Sequence, residues 1–248
     1  MSFPHVIFAS FNDAPAVEDT ANRGGRAYGQ SLWYDDGRKF RFILCGATAT
    51  ISGDLAQGPA VITGDYTDIA TDNAHAVGAT TITFTATTTT AANIYAEGWM
   101  FCNKGGVRAG GRVYTVASNI LFAATAGITA ELHLDDPIRV ALSTLDEIGF
   151  LQNTYKSILN VPITTATNRI IGVSPGIVTA SQYGWTQSGG VAAVNSAASQ
   201  VVGNNLVPVL AAAGRVGVSA GDVLENIGVA LSVPTTAGEW GAIYLKLD

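Results

Sequence analysis

The chain has 248 residues, with 19 acidic and 13 basic side chains, a net charge of −6 and only 13% charged residues, about half the charged share of an average globular domain. That acidic balance leaves no broad basic face for phosphate and argues against nucleic acid as the main partner. The mean hydropathy is +0.28, yet no run of about 18 apolar residues exists to span a bilayer, so no membrane partner is expected either.

Residues 1–37 show little periodicity and contain Pro4, Pro15 and Gly24-Gly25; they read as an extended arm that ends in the turn signal Asp35-Asp36-Gly37. The opening stretch MSFPHVIFASFNDAP lacks a basic region ahead of an apolar one, so it does not read as a signal peptide. Five of the 13 basic residues (Arg23, Arg26, Arg38, Lys39 and Arg41) fall within the first 41 positions. From there period-2 patterns begin. In RKFRFILC, Phe40, Phe42 and Leu44 point one way and Lys39 and Arg41 the other, as in a half-buried strand. TTITFTATTTT alternates Ile82 and Phe84 with threonines, whose branched Cβ favours a pleated strand.

ITAELHL puts Ile128, Ala130, Leu132 and Leu134 on one face and Thr129, Glu131 and His133 on the other. Thr144 and Glu147 have the spacing of a capping box, with Leu145, Ile148, Leu151, Tyr155 and Ile158 at helical intervals, but Gly149 and Gln152-Asn153 interrupt them. Residues 143–159 therefore read as a connector with at most one short helix. NIGVALSV places Ile227, Val229, Leu231 and Val233 together, GAIYLKL does so with Ile243, Leu245 and Leu247, and PTTAGEW between them reads as a hairpin connection. Short strands separated by glycine-rich turns predict an all-β protein of sandwich or barrel type with little helix. The expected partition is an arm at 1–37, a β domain at 38–155 and a second β-rich region at 156–248.

Two segments carry the G-x-S-x-G pattern of a nucleophile elbow, GVSPG at 172–176 and GVSAG at 217–221. Ser174 precedes Pro175, which has no N–H for an oxyanion hole. The three histidines, His5, His75 and His133, all precede both serines, whereas the elbow's chain order needs the base afterwards. Both segments read as turns in which glycine supplies unusual backbone angles and serine bonds to its own chain. His133, Asp135 and Asp136 do not share one strand face, which speaks against a metal site, and Asp146-Glu147 reads as a cap. KGGVRAGGR at 104–112 lacks the ending of a phosphate-binding loop and reads as an exposed hairpin loop. Cys45 and Cys102 are too few for a disulfide framework or a structural zinc site and read as small core residues. No catalytic set, cofactor site or metal site emerges. Trp33, Tyr34, Trp99, Tyr183, Trp185 and Trp240 read as core or interface anchors.

The order of motifs is DDGRKFRFILCGATATISGDL, HAVGATTITFTATTTTAANIYAEGWM, GGRVYTVASN, AELHLDDPIRVALS, NTYKSILNVP, VSPGIVTASQYGWTQSGGVAAV and ENIGVALSVPTTAGEWGAIYLKLD. It resembles the structural proteins of tailed bacteriophages that decorate or cement the capsid, over roughly residues 35–248. The resemblance implies a non-enzymatic virion protein on the outside of the head, bound to the major capsid protein and to copies of itself, commonly as a trimer. It agrees with the sparse charge, which leaves a surface suited to burial in an assembly. On this reading the arm reaches a neighbour through Arg23, Arg26, Trp33 and Tyr34. The alternative is a tail or head-fibre component that binds a host-surface glycan through an aromatic patch around Trp185 or Trp240.

Overall fold

The computed structural model describes residues 6–9, 19–64, 68–86, 88–104, 110–123, 129–163, 166–197, 200–209, 211–218 and 226–248. Among them the regular structure is entirely β, as the alternating patterns predict, and there is no helix. Four strands come first: β1 (Ile7–Ala9), β2 (Ser31–Tyr34), β3 (Lys39–Leu44) and β4 (Leu55–Gln57). Six follow, β5 (Ile69–Ala70), β6 (Thr81–Thr85), β7 (Trp99–Lys104), β8 (Val113–Asn119), β9 (Thr129–Leu134) and β10 (Glu147–Leu151). Seven complete the chain: β11 (Leu159–Asn160), β12 (Ile170–Val173), β13 (Tyr183–Asn195), β14 (Asn205–Pro208), β15 (Val216–Val218), β16 (Gly228–Ala230) and β17 (Trp240–Lys246).

These strands form two compact units, one of residues 60–153 and one that joins 1–59 to 154–248. The expected linear partition at 37 and 155 is therefore replaced by an insertion. The physical reason is that β3 pairs with β13, from Tyr183↔Leu44 to Gly189↔Lys39, so the first strands complete a sheet made mostly by the last ones.

The inserted unit is a six-stranded antiparallel sheet in the order β5-β10-β7-β8-β9-β6. A bridge between Thr71 and Phe84 brings its two ends together into a nearly closed barrel, which leaves little free edge. Alternation on β9 buries Ala130, Leu132 and Leu134 as read from the sequence, and β6 does the same with Ile82 and Phe84. The barrel fills with aromatic rings. Phe84, Phe122, Phe150 and Tyr95 are at most 1% exposed, with centroids 4.9 Å apart for Phe84–Phe122 and Phe84–Phe150 and 5.4 Å for Tyr95–Phe150. Burying each such ring contributes about 1.5–3 kcal/mol.

Residues 147–151, expected within a connector, are the strand β10, paired with β7. The cap-like spacing has another use: the Asp146 carboxylate accepts from the Ser143 backbone N–H (2.6 Å) and hydroxyl (2.9 Å) and closes a turn ahead of the strand.

The second unit is an 11-stranded sheet whose main path runs β1-β2-β3-β13-β17-β16-β14-β15, with β12, β4 and β11 branching from it. Its spine is β13, 13 residues long, which pairs with β3 on one edge and β17 on the other. The Gly189-Gly190 pair sits inside this strand. Pairing with β3 slips between Gln187 and Gly189, and Gly190, at φ +79°, lies where a Cβ would fall 2.8 Å from the Gly37 carbonyl oxygen. It is a bulge only glycine can occupy.

Candidate functional site

The stretch expected as an arm is, in its described part, packed on the sheet; residues 1–5 and 10–18 lie outside the described residues. Of the four nominated anchors, three face inward. The Arg23 guanidinium lies over the Tyr28 ring at 4.1 Å. Arg26 covers the rings of Phe42 at 5.4 Å and Trp185 at 5.7 Å. Tyr34 is buried and meets Phe40 edge to face at 5.2 Å. Trp33 is the exposed one, at 37%. Its ring carries Lys39 Nζ at 4.7 Å on one side and meets Phe8 edge-on at 6.0 Å. Parallel pairing of β1 with β2 sets Phe8 opposite Trp33. Phe8 is 76% exposed, and together with Ala9, Trp33, Tyr34 and Asp35 it lines an apolar depression of about 420 Å³. β1 ends the sheet path, and no strand among the described residues pairs with its outer side.

A second cleft, of about 390 Å³, opens between β12, β13 and the start of β17. Trp240 stands at its side, 62% exposed, because on β17 it alternates with the buried Ile243 and Leu245. Its indole is held. Nε1–H donates to the Ser52 carbonyl at 3.4 Å, and the ring edge lies against Gly53, at φ +81°, where a Cβ would be 2.2 Å from Nε1. Gln187, 5% exposed, forms another wall. Its amide donates to the carbonyls of Gly189 (3.0 Å) and Val191 (2.8 Å), which leaves its Oε1 as an acceptor. Trp185, the other tryptophan considered for a surface patch, is fully buried against Phe42 at 5.1 Å.

The serine motifs belong elsewhere in the chemistry. Ser174 is fully buried at the end of β12, its backbone tied to Asp54 O and Gly53 N, and its hydroxyl has no hydrogen-bond partner among the described residues. The expected bond to its own chain is thus not formed. Gly172 is required for close approach, since a Cβ would sit 2.5 Å from the Gln187 carbonyl oxygen on β13. Of the second motif, residues 219–221 lie outside the described residues, as do 105–109 of the KGGVRAGGR segment, His5 and Ile128. His75 and His133 belong to the barrel unit. Among the described residues no group of three or more His, Cys, Asp or Glu could hold a metal ion. Cys45 and Cys102 are free and buried, and burial pushes the Cys102 thiol up to about 11.

One buried acid was not singled out by sequence. Asp54 is 3% exposed; desolvation raises its carboxyl above the usual range, against a bond from Asn195 Nδ2 (3.0 Å) and the charge of Arg215. Asp248 goes the other way. Burial opposes its ionisation, but Arg41, bonded through Nε (2.7 Å) and Nη2 (2.8 Å), and Ser188 (2.5 Å) outweigh it and hold the carboxyl below its ordinary value. Trp240 was singled out in the sequence as an aromatic candidate within the PTTAGEW connection. Its partners Ser52, Gly53 and Gln187 were not, because the fold gathers them from distant strands.

No family model matches the chain, and no curated protein matches it in sequence.

Proposed function

We propose that this chain is a non-enzymatic virion structural protein that decorates the outer surface of a phage head and stabilises it, bound to the major capsid protein and to copies of itself as a trimer. The reading rests on the motif order of residues 35–248 and on a surface poor in charge. The single observation that carries it on the molecule is the β1 edge. Phe8 at 76% and Trp33 at 37% exposure form one apolar depression beside a strand edge that no strand among the described residues pairs with. A free edge offers backbone donors and acceptors, and an aromatic pair beside it offers the buried anchor that interfaces use.

The mechanism is mass action. A protein that binds the expanded lattice and not its disassembled subunits shifts the equilibrium toward the intact head, and many copies make the attachment avid. Cryo-imaging of heads lacking the protein, with and without the purified chain added, tests this. The expected result is new density on the outer surface at local three-fold positions. Unchanged heads would contradict it.

A further inference from the structure

We propose that the Trp240 cleft binds a sugar ring, as a site separate from the β1 edge. Its lining has the two features such a ligand needs. The first is an aromatic platform that is exposed yet fixed: Trp240 keeps 62% of its surface in water while its Nε1–H is held by the Ser52 carbonyl and its edge by Gly53. A tryptophan retained only for packing would turn its faces inward, as Trp185 does. A pinned indole presents an apolar face to the C–H face of a pyranose at little cost in side-chain entropy.

The second feature is a buried, oriented acceptor. Gln187 is 5% exposed, and both amide hydrogens are committed to Gly189 O and Val191 O. Its carboxamide is therefore locked, and Oε1 accepts no bond among the described residues. A ring hydroxyl is the donor that fits. The rest of the wall joins the apolar Val173, Pro175, Val191 and Ala192 to Arg38, whose guanidinium pairs with Asp36 at 2.7 Å, and about 390 Å³ lies within the roughly 300–1,000 Å³ of small-molecule sites. Flat aromatic face, fixed amide oxygen and an arginine already paired with Asp36 together describe a hydroxyl-rich saccharide ring.

Saturation-transfer NMR on the full chain with glucose, galactose, N-acetylglucosamine and rhamnose at millimolar concentration tests the site. At least one sugar should give a saturable signal. Trp240→Ala should weaken it by roughly tenfold and Trp240→Phe should restore part of the loss, both with unchanged circular dichroism because the indole is exposed. If none of the four sugars gives a saturable signal, or if Trp240→Ala retains the wild-type signal, the proposal is overturned. Head binding through the β1 edge is untouched by either result, since Phe8 and Trp33 take no part in this cleft.

Discussion

The two units use aromatic residues in opposite ways. In the barrel, Phe84, Tyr95, Phe122 and Phe150 are all interior, and the large apolar side chains left exposed are aliphatic: Val61, Val77, Val113, Ile120, Leu121, Leu145 and Leu151. In the sheet unit the exposed set includes Phe8, Trp33, Trp240 and Tyr244. The sheet unit also holds the buried side-chain atoms that lack partners among the described residues, on Ser174, Thr186, Asn195 and Gln200. A barrel that closes on itself buries its rings and leaves little edge; an open sheet ends in edges and keeps rings on its surface. Under the proposed function, the barrel serves stability and the sheet unit recognition.

The largest expected effect tests the barrel half. Phe150→Ala should cost about 3–5 kcal/mol in a denaturant titration, because the ring is 1% exposed and packed on Phe84, Tyr95 and Phe122. A loss below 1 kcal/mol would mean that the rings do not share one core. Next comes the sheet's own lock. Arg41→Ala removes both bonds to Asp248 and those to Gly29 O (3.0 Å) and Ser31 Oγ (2.6 Å), and should cost about 1.5–3 kcal/mol in the same titration.

Smaller effects come from pH, and the two carboxyls separate by sign. Asp54 has a raised folded value, so its contribution is fully favourable below the ordinary carboxyl value of about 4 and is lost as pH rises through the folded one. Wild type should therefore gain on Asp54→Asn as pH falls from neutrality. Asp248 has a lowered folded value; its contribution is present above the ordinary value and is lost as pH falls through the folded one. Wild type should lose its advantage over Asp248→Asn on acidification. Thermal melts from neutrality to acid read both, and parallel curves for the two variants would contradict the assignment. The smallest stability change belongs to Trp240→Ala, expected within about 0.5 kcal/mol, while Phe8→Ala with Trp33→Ala should lower head affinity by roughly tenfold to a hundredfold without altering the melt.

Much of the strand content was legible, for reasons visible in particular residues. AELHL and GAIYLKL alternate cleanly, and Ala130, Leu132, Leu134, Ile243, Leu245 and Leu247 are buried as read. NIGVALSV misled. Ile227 and Ala230 are buried, whereas Leu231 and Val233 are 44% and 52% exposed, because β16 is only three residues long and its period ends at Ala230. The spine β13 was not read as a strand; the Gly189-Gly190 pair lies inside it, and only the approach of Gly37 and Arg38 shows the bulge it makes. The arm failed on a similar point. Low periodicity in residues 19–30 conceals Tyr28 stacked on Tyr183 at 6.3 Å and Arg26 over Phe42, contacts made with strands far along the chain. The Trp240 cleft was half legible, the indole as an aromatic candidate and its supports not.

The measurement closest to the central claim is the temperature at which heads lacking this protein break, recorded as purified protein is added. Decoration predicts a breaking temperature that rises with protein concentration and levels off once the outer sites are filled. A breaking temperature unchanged at every concentration would contradict it.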